Sequence, residues 1–166
     1  MRCFITVGTT KFDELVEAAT SDPFLNVLYG KGYRHLLIQA GTSFVHESVK
    51  DNSKVGVKWY RYKPNIRGDI ESAHLVISHA GAGSCLEIMH AKKPCIVVIN
   101  DTLMGNHQTE LAYKLASLGH VKHTVPSGLV TALEELDTEE LLPYVPGDPS
   151  LLSKHIHDLM GLTYTT

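Results

Sequence analysis

The residue types that could do chemistry together lie in the stretch Leu75 to Met89: an imidazole at His79, glycines at Gly81 and Gly83, a hydroxyl at Ser84 and a carboxylate at Glu87. An apolar run, Leu75-Val76-Ile77, stops at Ser78 and His79, the glycines open the backbone, and a helix is expected to begin at Ser84. A strand, a tight glycine turn and a helix N-terminus make an anion site. The glycines let the main chain approach a phosphate, and the first free N–H groups of the helix point at it. Glu87 stands three residues after Ser84, close to whatever that helix end holds. Taken singly, each feature has a plainer reading. Ser84 and Glu87 have capping-box spacing, the glycines suit a turn, and His79 could be a half-buried histidine with a backbone partner.

Two more clusters follow expected strands: Gly8-Thr9-Thr10, and Asn100 to Gln108 with His107-Gln108 opening a later helix. Ligands of open α/β sheets bind beyond the carboxyl ends of the strands, so the convergence of three such clusters is more informative than any one of them.

The elements that must position them read as follows. Strands are expected at Arg2 to Val7, His35 to Ala40, Lys54 to Tyr62, Leu75 to Ile77, Cys95 to Ile99 and Val121 to Val125. Helices are expected from near Phe12 with an apolar face of Phe12, Leu15, Val16 and Ala19, over Pro23 to Tyr29, Ile66 to Ala73, Gly105 to Leu118 and Leu129 to Leu136. Gly41 to Ser53 is a loop. Alternating strands and helices, with strands apolar enough to be covered on both faces, predict an α/β protein built on a doubly wound parallel sheet. The expected organisation is one domain over residues 1–142, a proline-spaced linker over 143–149, and a C-terminal helix and tail over 150–166. In that last segment Leu152, Ile156 and Leu159 form an apolar stripe at i, i+4 and i+7, suited either to folding back on the domain or to docking on a partner.

Composition excludes several classes. The chain has 166 residues, enough for one domain with its own core. Its net charge of −3 and lack of a dense basic run argue against a nucleic-acid partner. The longest apolar run, Cys95 to Ile99, is far below the ~20 residues that span a bilayer. Cys3, Cys85 and Cys95 are odd in number without CxxC spacing, which suits reduced thiols in the cytoplasm. His120 with His123, or His155 with His157, could suggest a metal. No cysteine pair or HExxH accompanies them, and surface imidazoles are the expectation.

The string from His79 to Glu87, followed by His107-Gln108, resembles the donor-binding half of GT-B glycosyltransferases. Val7-Gly8-Thr9-Thr10-x-Phe12-Asp13-x-Leu15, Ser78 to Ser84, and Asn106-His107-Gln108-x-Glu110-Leu111-Ala112 are similar to one subfamily. It comprises the small catalytic subunits of the transferase that adds the second N-acetylglucosamine to dolichyl-diphosphate N-acetylglucosamine. The resemblance runs from about Cys3 to Ala116. It implies a Rossmann-like domain, the C-terminal half of a GT-B fold. It also implies UDP-N-acetylglucosamine as donor, with the diphosphate at Gly8, Thr9, Thr10, His79, Gly81, Gly83 and Ser84, the ribose at Glu87, and the sugar at Asn106, His107 and Gln108. The reaction implied is inverting transfer to the 4-hydroxyl of the lipid-linked acceptor, with no cofactor or metal and no general base visible in the chain. A membrane-anchored subunit would supply the acceptor half and recruit the chain to the cytosolic face of the endoplasmic reticulum, with Leu152, Ile156 and Leu159 as the partner contact.

Two other readings compete. A nicotinamide-dependent oxidoreductase would take Gly81-x-Gly83 as its fingerprint and Asp101 as its ribose acid, but Leu86 stands where the third small residue belongs, and the glycines follow an interior strand. A non-catalytic sugar-nucleotide-binding scaffold would use the same residues as the transferase. A melting shift with UDP-N-acetylglucosamine or NAD separates the first, and a turnover assay with the partner separates the second.

Overall fold

The computed structural model describes residues 1–46, 54–100 and 106–147, and of 106–108 only the backbone. Six strands, β1 (Arg2–Thr6), β2 (His35–Gln39), β3 (Gly56–Tyr60), β4 (Leu75–His79), β5 (Cys95–Val98) and β6 (Lys122–Thr124), form one parallel sheet in the order β3-β2-β1-β4-β5-β6. Among the described residues the α-helices are α1 (Asp13–Thr20) and α2 (Asp22–Gly30), both between β1 and β2, then α3 (Arg67–Ser72), α4 (Ala82–His90), α5 (Asn106–Ser117) and α6 (Leu129–Glu134), interspersed with the later strands.

The period-2 geometry of the strands divides the core in two. Cys3 and Ile5 of β1, Leu75 and Ile77 of β4, and Ile96 and Val98 of β5 face a cluster closed by α1, α2 and α6. Phe4, Val76, Cys95 and Val97 face the opposite cluster, closed by Ile70 of α3, Cys85, Ile88 and Met89 of α4, and Ala112 and Leu115 of α5. The central strands are therefore apolar on both faces, which is why they read as continuous apolar runs rather than as alternation. Edge strand β3 does alternate, with Val57 buried and Lys58 exposed.

Chain order reverses between β1 and β4, the central neighbours, and this is where an open α/β sheet leaves a crevice beyond its carboxyl edge. The elements expected over the described residues are present; β4 and α2 run longer than expected, to His79 and over Asp22–Gly30, and most others are shorter, while the expected C-terminal helix lies outside the described residues. One boundary differs in a way that matters: α4 begins at Ala82, two residues before Ser84. Gly81 is its N-cap, and the Gly81 carbonyl accepts the first helical bond, from Cys85 N at 3.0 Å.

Two connections are fastened more firmly than their composition suggests. In the described part of the Gly41 to Ser53 loop, Ser43 is buried and its Oγ accepts from Phe12 N at 2.8 Å, while Phe44 N donates to Asp13 Oδ1 at 2.9 Å. The loop thus caps the start of α1. After α6, Leu142 N donates to Gly119 O at 2.9 Å, and Tyr144 stacks on His90 with ring centres 5.5 Å apart and meets His120 edge-on at 5.8 Å. The first residues of the 143–149 segment therefore lie against the domain. The apolar stripe Leu152, Ile156 and Leu159 lies outside the described residues.

Candidate functional site

A cleft of about 1140 Å³ opens at the carboxyl edge of the sheet, beside the reversal between β1 and β4. Of the residues expected to bind a ligand, Gly8, Thr9, His79, Gly81, Gly83, Ser84 and Glu87 all line it. They come from two segments more than sixty positions apart, brought side by side because β1 and β4 pair in the register Thr6 with Ser78. Thr10 does not line the cleft. Its hydroxyl turns back to donate to Val7 O at 2.8 Å and so closes the turn that presents Gly8 and Thr9.

His79 ends β4 and is buried. Its Nδ1 lies 3.4 Å from the main-chain oxygen of Thr6, and because a carbonyl only accepts, that nitrogen carries the proton. The other nitrogen, Nε2, then presents a lone pair in the neutral ring. Burial lowers the His79 pKa below its ordinary 6.5, and the bond to Thr6 opposes this in part.

The glycines answer to this ring. Gly8 has φ +66°, and a Cβ there would stand 2.7 Å from His79 Cε1; a Cβ at Gly81 would fall on His79 Nε2. Gly81 itself has an ordinary extended backbone, φ −80° and ψ 127°, so here the missing side chain matters and a permissive φ does not. At Gly83 an added Cβ would meet nothing within 4 Å, which leaves open space over the helix end.

That helix end is an anion site in geometry. Gly81 N is spent on His79 O at 2.8 Å and Cys85 N on Gly81 O, so the N–H groups of Ala82, Gly83 and Ser84 form the unpaired first turn. The capping box does not form. No side chain caps α4, and neither the Ser84 hydroxyl nor Glu87 is hydrogen-bonded to a described residue. With the helix starting at Ala82, Ser84 occupies its third position rather than its cap. Glu87 is consequently an exposed carboxylate, one turn along the helix, facing the cleft without a structural task.

Sequence reading missed part of the wall. Gln39, at the end of β2, and the segment from Tyr62 to Arg67 line the cleft opposite α4. Within that segment Lys63 pairs with Asp69 at 2.8 Å, and the same carboxylate accepts from Tyr60 Oη at 2.6 Å; together with burial, Asp69 pushes the Tyr60 pKa up. The position of Gln39 at a strand's carboxyl end was the available signal, the same one that singled out Gly8 and His79. Asn106, His107 and Gln108 form the first turn of α5 beyond β5, at the same edge of the sheet, and their side chains lie outside the described residues, as does Asp101. Among the described residues no group of three or more His, Cys, Asp or Glu side chains is placed to hold a metal ion, and no helix is long and apolar enough to cross a membrane.

A model of the glycosyltransferase family 28 C-terminal domain matches residues 2–156. The chain is 46% identical over 120 residues to the UDP-N-acetylglucosamine transferase subunit ALG13 of Mus musculus, covering 72% of this chain and 10% of that protein. To the subunit of the same name from Candida glabrata it is 34% identical over 179 aligned positions, covering 86% of this chain and 90% of that one. The chain thus spans a small fraction of the mouse relative and most of the yeast one. The NMR solution structure of ALG13 superposes with a TM-score of 0.68 at 30% identity, over 92% of this chain and 93% of that one. The crystal structure of Acinetobacter baumannii MurG superposes with a TM-score of 0.66 at 20% identity, over 84% of this chain and 42% of that one, a likeness of fold. The expected fold class, the C-terminal half of a GT-B enzyme, is borne out.

Proposed function

The chain belongs to the family of glycosyltransferase family 28 C-terminal domains, and we propose that it is the donor-binding half of a transferase that moves N-acetylglucosamine from UDP. The observation that carries this reading is the convergence of Gly8, Thr9, His79, the open first turn of α4 and the unengaged Glu87 on one cleft. A diphosphate fits the main-chain N–H groups of Ala82, Gly83 and Ser84, with the Ser84 and Thr9 hydroxyls beside it. Glu87, one turn further along, accepts from the ribose hydroxyls. Asn106, His107 and Gln108, opening α5 at the same edge of the sheet, take the sugar. Thr10 acts on the Gly8 turn rather than on the ligand.

As UDP departs, charge gathers on the β-phosphate, where the helix end and His79 stabilise it. Phosphate contacts made by backbone amides need no divalent ion, and binding is expected to be unchanged by EDTA. The acceptor is the lipid-linked N-acetylglucosamine, attacked through its 4-hydroxyl with inversion. That acceptor lies in a membrane, so a membrane-anchored subunit holds it at the cytosolic face of the endoplasmic reticulum and completes the cleft. The relatives named as transferase subunits support a divided enzyme.

Glu87→Gln tests the assignment cleanly, since no capping bond is lost with it. Removing a charged acceptor from the ribose is expected to weaken UDP-N-acetylglucosamine by about 10- to 100-fold, measured by calorimetry with and without EDTA. Wild-type affinity in the variant would refute the ribose assignment. A turnover assay on lipid-linked acceptor, with membranes carrying the partner, separates a catalytic subunit from a scaffold.

A further inference from the structure

We propose that Gln39 is a further ligand-binding residue of the cleft, one that offers its side-chain amide N–H groups to the diphosphate; the assignment rests on the donor-site reading above. Gln39 is the last residue of β2 and pairs in register with Thr6 of β1. The residue is only 3% exposed, yet it lines the cleft.

The orientation of its amide follows from a short chain of hydrogen bonds. Gly8 N donates to Thr6 Oγ1 at 3.1 Å, which occupies a lone pair of that hydroxyl and leaves its proton to be given. The proton goes to Gln39 Oε1. The amide oxygen is therefore spent on the protein, and the NH₂ end is the remaining polar group. It donates to no described residue.

Thr6 is the hub of this arrangement. Its hydroxyl ties Gln39 to Gly8 N, and its main-chain oxygen holds the His79 ring. Gln39, Gly8 and His79 thus radiate from one fully buried residue, at the ends of three adjacent strands. An anion seated on the first turn of α4, next to His79, comes within reach of this amide. A phosphate offers only acceptors there, and a primary amide with two unspent donors complements it.

The test uses the whole chain with two probes, UDP and uridine, titrated by NMR against wild type and Gln39→Glu. Glutamate has the same length and still accepts from Thr6, but it places an anionic oxygen where the NH₂ stood. UDP affinity is expected to fall by about 10- to 100-fold while uridine affinity stays within about twofold. Equal losses for both probes, or none, would overturn the assignment. If circular dichroism shows that Gln39→Glu does not fold, Gln39→Met decides instead: a loss selective for UDP supports the proposal, and unchanged UDP affinity refutes it. A wild-type chain that binds neither probe removes the donor-site reading and this assignment with it. A wild type that binds UDP, beside a variant that binds it equally well, removes this assignment alone.

Discussion

A methyl group at Gly83 would meet nothing within 4 Å beyond its own helix backbone and chain neighbours, whereas at Gly81 it would fall on His79 Nε2, so one residue type answers two demands within one turn. Gly83→Ala replaces a helical glycine and is expected to leave the fold as stable or up to about 1 kcal/mol more stable, because alanine restricts the unfolded chain. The same methyl stands where a diphosphate would approach the helix end, and UDP affinity is expected to fall. Urea denaturation and calorimetry on one preparation read both effects. A variant that binds UDP as tightly as wild type would place the phosphate elsewhere. His79 carries a pH dependence whose sign follows from its geometry. Its pKa lies below 6.5 in the free protein, so at neutral pH the ring is neutral with Nε2 unprotonated. A phosphate oxygen beside Nε2 favours the charged ring and raises that pKa in the complex. Binding then takes up protons and is tightest at low pH, weakening as pH rises from the free to the bound pKa. Calorimetry of UDP-N-acetylglucosamine in two buffers of different ionisation enthalpy measures the uptake, and His79→Asn is expected to abolish it. In the unliganded fold the sign reverses, and stability declines as pH falls below about 6.5 toward the depressed pKa, since the unfolded chain binds the proton more readily.

At the scale of the elements, the alternation of strands and helices was legible because apolar strands covered on both faces leave no other arrangement. The start of α4 was less so. Ser84 and Glu87 have capping-box spacing, but Gly81, already excluded from bearing a side chain by the His79 ring, caps the helix with its carbonyl three residues earlier. Local spacing pointed to one start and a tertiary contact selected another. Gln39 went unread for a related reason, since its partner Thr6 is thirty-three positions away and only strand pairing brings them together. The loop after β2 is the clearest case of distant support. Ser43 Oγ satisfies Phe12 N, a buried donor at the start of α1, from thirty-one positions along the chain. Ser43→Ala leaves that N–H unpaired and is expected to cost about 1–3 kcal/mol. The urea midpoint should fall with the slope unchanged. A midpoint within error of wild type would mean that water or a shifted loop replaces the hydroxyl.

For the molecule as a whole, Leu142 and Tyr144 are tied to the body at Gly119, His90 and His120, and Val145 beyond them is 80% exposed. A chain ending at Val145 retains these ties. It is expected to keep its circular dichroism and its UDP-N-acetylglucosamine affinity, and to lose co-flotation with membranes carrying the partner. Normal flotation would exclude the stripe of Leu152, Ile156 and Leu159 as the docking element; loss of fold would assign that stripe to the domain's own core. The sheet itself offers a probe of how the molecule comes apart. The chain has a single tryptophan, Trp59, and it stands on β3, an edge strand that among the described residues pairs only with β2. Its emission therefore reports one border of the sheet, while far-ultraviolet dichroism averages over every helix. If the domain unfolds as one cooperative unit the two signals must trace the same curve in denaturant. An emission change that runs ahead of the dichroism would show the border peeling away first, on the side of the sheet that carries Gln39.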